Sequence, residues 1–375
     1  MIDLDFNAGG AIDAEVLTVL VDAYREYGSN PASAHSQGAR TKAALEDARR
    51  SILSVMNAGS SHTLVFTSGA TEGLNMVMHG MRWGRLLVSS TEHLSLLKLA
   101  ERSRRDGRIE TTTIRVDRDG VLDGAQLERE LGLGPALVVV QSANGDTGVL
   151  QPISDIAAIA GGQGCSLLVD GTQAAAWVSP DLSHSKNVIL VLGGRKLGAP
   201  HSIGALVIPR DLLPLWRPLT IGGGHEFGVR AGTPAVPECV ALAAACAMAT
   251  EKSRASRVKS LRDRFEYLLV ESISGVRFYG RAAKRLPNTC AFVVDGIDAE
   301  RLQRDVPDLL FGRGAACSSG AHQRSHVLSA MGAPVSDLHD LVRVSLGPKV
   351  TLQDIEKAVS FFVRGVDAQR GNRCA

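Results

Sequence analysis

The feature that most constrains this chain is an alternation. Short apolar runs at 64–66, 86–88, 136–140, 167–169, 188–192 and 204–208 are separated, in several cases, by segments with helical periodicity. Runs this short and continuously apolar read as strands buried on both faces, with helices supplying the cover. The pattern predicts an α/β fold with a mostly parallel sheet. Amphipathic helices are expected over 13–27 and over 39–56, where Ala44, Leu45, Ala48, Ile52, Leu53 and Met56 fall on one stripe. With 375 residues the chain can also build a second core. A helical stretch over 239–271, alanine-rich and then charged, reads as the connector into a smaller α+β domain. That domain has strand candidates at 291–294 and 341–344. Its last helix starts near Thr351, where Asp354 makes an imperfect capping box. The expected division is a large domain over 14–250 and a small one over 1–13 and 251–375, with a frayed tail from 370 onward.

Chemistry in such folds collects where strands end. The run 167–169 ends in Asp170, and the run 188–192 leads through Gly193-Gly194-Arg195 to Lys196. An aspartate and a lysine delivered to strand ends suit pyridoxal phosphate (PLP). The lysine forms the Schiff base, and the aspartate pairs with the protonated pyridine nitrogen. Taken alone, the two residues also fit a buried ion pair.

Five further motifs bear on this choice. Phe66-Thr67-Ser68-Gly69-Ala70-Thr71-Glu72-Gly73 turns a strand into a helix whose N-terminal N–H groups suit a phosphate, or is an ordinary capping turn. Ser90-Thr91-Glu92-His93 puts a histidine past a strand end, where it can lie over a cofactor ring or serve structure alone. In Gln141-Ser142-Ala143-Asn144-Gly145-Asp146, Asn144 can bond a phenolic oxygen or simply build a turn. The segment 222–233 is glycine-rich yet carries His225, Glu226 and Arg230. These charges suggest anion contacts, across a dimer interface, against the alternative of a solvated loop. Gly312-Arg313-Gly314-Ala315-Ala316-Cys317-Ser318-Ser319-Gly320 reads as a small-residue loop offering a nucleophilic thiol the exposure it needs. Arg343, inside an apolar strand pattern, suits a bidentate clamp on a carboxylate, or an edge-strand arginine with its head in water.

Composition narrows the classes. Lysine and arginine number 41 against 39 acidic residues, so charge provides no case for nucleic acid or a membrane surface. The start, Met1-Ile2-Asp3-Leu4-Asp5, lacks the basic region of a secretory signal, and no apolar run reaches membrane-spanning length. Six scattered cysteines without metal-site spacing read as reduced thiols of a cytoplasmic protein that holds no metal. Cys165, Cys239, Cys246 and Cys290 read as buried small hydrophobes.

Together these motifs, in order from residue 2 to about 365, resemble the cysteine desulfurases of the class V aminotransferase family, PLP enzymes of fold type I. The resemblance implies a large domain with a mostly parallel seven-stranded sheet and a smaller α+β domain carrying a mobile cysteine loop. It implies roles by position. Lys196 is the Schiff-base lysine, Asp170 bonds the pyridine nitrogen, Gln173 and Asn144 bond the phenolic oxygen, and His93 stacks on the ring. Ala70 and Thr71 hold the phosphate, and Thr233 reaches it from a partner subunit in a homodimer. Arg343, helped by Asn30, binds the carboxylate of L-cysteine. Cys317 takes the substrate sulfur as a persulfide for an acceptor protein, and alanine leaves.

The chain also departs from the family pattern. The usual Ser-Gly-His-Lys is Gly193-Gly194-Arg195-Lys196, which removes a hydroxyl and an imidazole from the phosphate and offers Arg195 instead. The usual Asp-Ala-Thr-Gln is Asp170-Gly171-Thr172-Gln173, and Asn-Asn-Glu is Asn144-Gly145-Asp146. Asn7-Ala8-Gly9-Gly10 stands where the family has small residues and threonines. These changes imply a divergent member. They keep open a C–S lyase, a selenocysteine lyase, another class V biosynthetic enzyme, or a non-catalytic sulfur-relay scaffold.

Overall fold

The computed structural model describes residues 1–249, 251–314 and 324–371. In chain order the strands are β1 Ile2–Asp3, β2 His62–Thr67, β3 Arg85–Ser89, β4 Glu110–Ile114, β5 Leu137–Gln141, β6 Ser166–Asp170, β7 Val188–Gly193, β8 Gly204–Pro209, β9 Val276–Tyr279, β10 Thr289–Val294, β11 Leu309–Leu310 and β12 Val342–Ser345. Seven of them form one sheet in the order β2-β8-β7-β6-β5-β3-β4, in which β8 alone runs against its neighbours.

Each apolar run became a strand of this sheet, because a strand covered on both faces needs apolar side chains on both. Along β7, Val188, Leu190 and Leu192 enter one apolar core, and Ile189 and Val191 enter the other. This is the two-residue period of a pleated strand. The seventh strand, β4, was not legible as a run. Its sequence Glu-Thr-Thr-Thr-Ile lies at the sheet edge with only Ile114 buried.

Register positions the chemistry. Gln141 pairs with Asp170, and Asp170 pairs with Val191, so the loops after β5, β6 and β7 leave from one edge. Helices cover the sheet, among them Ser36–Val55 on one face and Ala70–Gly80 with Leu94–Arg105 on the other. The helix expected over 13–27 is Ala14–Glu26, capped by Asp13, whose Oδ1 accepts the Glu15 N–H at 3.1 Å.

Three expectations change. The stretch over 239–271 is two helices, Val236–Ala249 and Lys252–Ser272, because Glu251 is extended at φ −68° and ψ 101°. The smaller sheet, antiparallel in the order β12-β10-β9, has one strand more than foreseen. That strand, β9, is a half-exposed four-residue edge carrying Arg277. The final helix, Leu352–Gly371, runs through the start of the tail, where Arg370 Nη2 donates to the Ser274 carbonyl at 2.8 Å. At its other end Thr351 and Asp354 form a reciprocal capping box. The Thr351 N–H donates to Asp354 Oδ2 at 2.9 Å, and the Asp354 N–H donates to Thr351 Oγ1 at 3.2 Å.

The N-terminal segment joins residues remote in sequence. β1 pairs with β11, and the Ser345 N–H donates to the Leu4 carbonyl at 2.7 Å. Among the described residues, no helix is long and apolar enough to cross a membrane.

Candidate active site

The loops leaving β5, β6 and β7 enclose a cavity of about 380 Å³. Ala70, Thr71, His93, Asn144, Asp170, Gln173, Arg195, Lys196 and Arg343 all line it. A larger cavity, about 580 Å³, opens against Val169, Val188 and Leu190 and holds none of the candidate catalytic or cofactor residues. Asn30 and Thr233 lie elsewhere in the single chain, and both are exposed. Asn30 Oδ1 accepts the Ala32 N–H at 2.9 Å within its own turn. Cys317 lies outside the described residues.

Lys196 sits in a short 3₁₀ turn, Gly194–Leu197, directly after β7. Its Nζ donates to the carbonyl of Asn7. Asn7 is buried and is itself held by four further bonds. Its N–H reaches Ser345 Oγ, its Nδ2 reaches the Gly145 carbonyl and Thr289 Oγ1, and its Oδ1 takes Asn288 Nδ2, all within 3.0 Å. The amine is thereby aimed by a network that joins the smaller sheet to the loop after β5. Asp170 closes β6 and is 8% exposed, with Oδ1 accepting the Thr172 N–H at 3.0 Å.

One end of the site suits an anion. An adjoining cavity of about 270 Å³ is lined by the N-terminus of the helix Ala70–Gly80 together with Thr172, Arg195, Lys196 and His201. The helix dipole and unpaired N–H groups there favour negative charge. Thr172 Oγ1 is a buried oxygen without a hydrogen-bond partner in the protein. Glu72 braces this end by accepting the Ser68 N–H and pairing with Arg230 at 3.0 Å. Burial raises the Glu72 pKa, but the Ser68 and Arg230 contacts outweigh it and leave the carboxyl below its usual range.

His93 caps the helix Leu94–Arg105. The Ser95 N–H donates to Nδ1 at 3.2 Å, which assigns the proton of the neutral ring to Nε2. Asn144 Oδ1 accepts from Asp146 N, Thr147 N and Thr147 Oγ1, so its turn role is real, and Nδ2 donates to the Thr91 carbonyl at 3.2 Å with its second N–H left to offer a ligand. Arg343 lies on the edge strand β12, yet its side chain is only 8% exposed. Its Nη2 contacts Asp5 Oδ1 at 2.7 Å and its Nη1 contacts Asp146 Oδ1 at 3.2 Å. Gly312 is required beside it, because a Cβ there would stand 2.5 Å from Arg343 Nη2.

Glu226 and Arg230 of the 222–233 loop have partners inside the chain, where the sequence suggested anion contacts. Glu226 is buried against Arg49, with Nη2–Oε1 at 3.0 Å and Nη1–Oε2 at 3.1 Å, and it accepts the Phe66 N–H at 2.7 Å. The Arg49 guanidinium lies over the rings of Phe66 and Phe227. Sequence reasoning also missed Asn7, Asp5, Asp146, Glu92 and His326 as parts of the site. Their motifs were in view for all but His326, but burial and long-range pairing leave no local signal. Cys165, Cys239, Cys246 and Cys290 are buried as expected. Burial pushes the Cys246 thiol up to about 12 and holds Cys239 and Cys290 well above the ordinary range, away from thiolate chemistry.

The aminotransferase class-V family model matches residues 2–358, and the chain belongs to that family. Cysteine desulfurase 2 of Trichormus variabilis is 35% identical over 370 residues, covering 96% of this chain and 92% of that protein. The NifS-like protein from Rickettsia africae has the same fold, with a TM-score of 0.87 and 27% identity over 98% of this chain and 99% of that one. SspA, solved in complex with cysteine, matches with a TM-score of 0.81 and 25% identity over 94% of this chain and 100% of that one. The family implies PLP in general, and the residues present fit it. A lysine amine and a buried carboxylate stand at neighbouring strand ends. An orphan hydroxyl, a helix N-terminus and a guanidinium stand together where a phosphate belongs.

Proposed function

We propose that this protein is a PLP-dependent cysteine desulfurase that converts L-cysteine to L-alanine and hands the sulfur, as a persulfide on Cys317, to an acceptor protein. The observation that carries this reading is the convergence of Lys196, Asp170, His93 and Arg343 on one cavity. PLP held at Lys196 supplies an electron sink for the substrate α-carbon. Lys196 presents its amine from the Asn7 carbonyl, and Asp170 presents a carboxylate to the ring nitrogen. Ala70, Thr71, Thr172 and Arg195 hold the phosphate, with Thr233 of a second copy reaching it in a homodimer. Asn144 and Gln173 bond the phenolic oxygen, and His93 covers the ring and moves protons. Arg343, already poised between Asp5 and Asp146, takes the substrate carboxylate, with Asn30 assisting.

Cys317 supplies the thiolate. An S–S bond forms as the substrate C–S bond breaks, the electron pair passes to carbon, and a proton completes alanine. Described residues on either side of Cys317 support this role. Gly314 lies against Leu341 and near Asp146, and His326 lines the cavity. We retain the division into a large domain over 14–250 and a small one over 1–13 and 251–375, and a cytoplasmic location.

The test is mass spectrometry of the protein after incubation with cysteine. The unmodified chain gains one sulfur at Cys317 and releases alanine. Cys317→Ser keeps the absorbance of bound PLP and gains none. Normal sulfide release by Cys317→Ser with reductant, or pyruvate in place of alanine, overturns the reading in favour of a C–S lyase.

A further inference from the structure

Glu92 is the acidic residue of the Ser90-Thr91-Glu92-His93 turn, to which neither the motif nor the resemblance gives a task. It lines the same cavity as Asp170 and is 0% exposed. Its Oε1 accepts the Gln141 N–H at 2.8 Å, at the end of β5. Its Oε2 is buried without a hydrogen-bond partner. Among the described residues no lysine or arginine pairs with it, as a buried charged carboxylate would require. Gln141 is the register partner of Asp170, so Glu92 is anchored next to the strand end that carries Asp170. The turn itself is tied down on both sides. The Thr91 carbonyl accepts from Gln141 Nε2 and Asn144 Nδ2, and the Glu92 carbonyl meets His326 Nε2 at 3.0 Å.

We propose that Glu92 is a positioning residue of the cofactor site. It is an uncharged acid held beside Asp170, so that Asp170 alone carries the negative charge facing the ring nitrogen, and its anchor to Gln141 sets the turn that presents His93. The inference rests on the cofactor reading above. The electrostatics agree with the geometry. Burial drives the Glu92 carboxyl well above its usual range, the Gln141 N–H and, less, the Ser89 hydroxyl oppose this, and the charge of Asp170 reinforces it. His93, Asp146, Arg195, Lys196, His326 and Arg343 line the same cavity, but Asp170 is the charged group that acts on Glu92. Two carboxyls sharing a buried site do not both ionise.

The experiment compares Glu92→Gln, which is uncharged and keeps an Oε1 acceptor, with Glu92→Ala, which keeps neither. In the ligand-free protein, unfolding is measured from about pH 5 to about pH 8. A group protonated when folded and ionised when unfolded weakens folding about tenfold per pH unit. The stability of Glu92→Gln relative to the unmodified protein therefore rises with pH. A flat difference means that Glu92 is ionised and overturns the proposal. In the PLP-loaded protein, the absorbance of the bound cofactor is titrated. Glu92→Gln keeps the midpoint, while Glu92→Ala binds PLP roughly tenfold more weakly, the size of one lost buried hydrogen bond. A midpoint moved by about one unit in Glu92→Gln, or unchanged affinity in Glu92→Ala, overturns it. Failure of the unmodified chain to bind PLP sinks the cofactor reading and with it this role, and the ligand-free titration still reports the charge of Glu92.

Discussion

Arg195 and Gly9 compete for one volume: a Cβ on Gly9 would stand 2.5 Å from Arg195 Nε and 2.9 Å from its Cγ. Gly9 also has φ +98°, a backbone region that side chains disfavour. The arginine where the family pattern has histidine is therefore sterically tied to glycine at position 9. The longer cation crosses the N-terminal segment to reach the anion end of the site, and only glycine leaves it room.

This coupling is measurable. Gly9→Ala costs about 2 kcal/mol in the unmodified background, through the positive φ and the collision with Arg195. In the Arg195→Ala background the collision is gone and the cost falls by about 1 kcal/mol, a coupling typical of residues in contact. Urea unfolding of the four ligand-free proteins gives the cycle. Strictly additive costs would show that the two residues do not share the space.

Arg343 provides a second prediction. Its fork is held by Asp5 and Asp146, so the geometry matters as much as the charge. Lysine keeps the charge and loses the fork. Arg343→Lys raises KM for cysteine roughly thirtyfold, equivalent to about 2 kcal/mol, with a smaller change in kcat. Steady-state kinetics check it, and an unchanged KM removes Arg343 from substrate recognition.

The buried pair Arg49–Glu226 makes a third. Glu226→Gln leaves the guanidinium only the partly exposed Glu46 as countercharge and weakens the hold on the Phe66 N–H. Breaking a buried pair from one side costs about 3–5 kcal/mol. Denaturant unfolding should register that loss, and the loop carrying Arg230 and Thr233 should become more susceptible to proteolysis. A loss under about 1 kcal/mol would place the pair in the class of surface bridges.

The continuous strands β2, β3, β5, β6, β7 and β8 could be read directly, because burial on both faces demands unbroken apolar runs. The edges β4 and β9 could not, since an edge is half solvated and tolerates threonine and arginine. The glycine-rich loop misled for a related reason. Charged residues among glycines read as a surface, whereas the fold buries Glu226 against a helix nearly two hundred positions earlier.

By itself the sequence determined which chemistry is delivered. Asp170 and Lys196 follow apolar runs, and a parallel sheet puts the ends of those runs along one edge. Tertiary structure alone decided what surrounds them: the Asn7 carbonyl that aims Lys196, the two carboxylates that flank Arg343, and the full burial of Glu92. The reason is physical. Strand formation follows from local patterning, whereas desolvation and hydrogen-bond partnership arise only when residues far apart in the chain exclude water together.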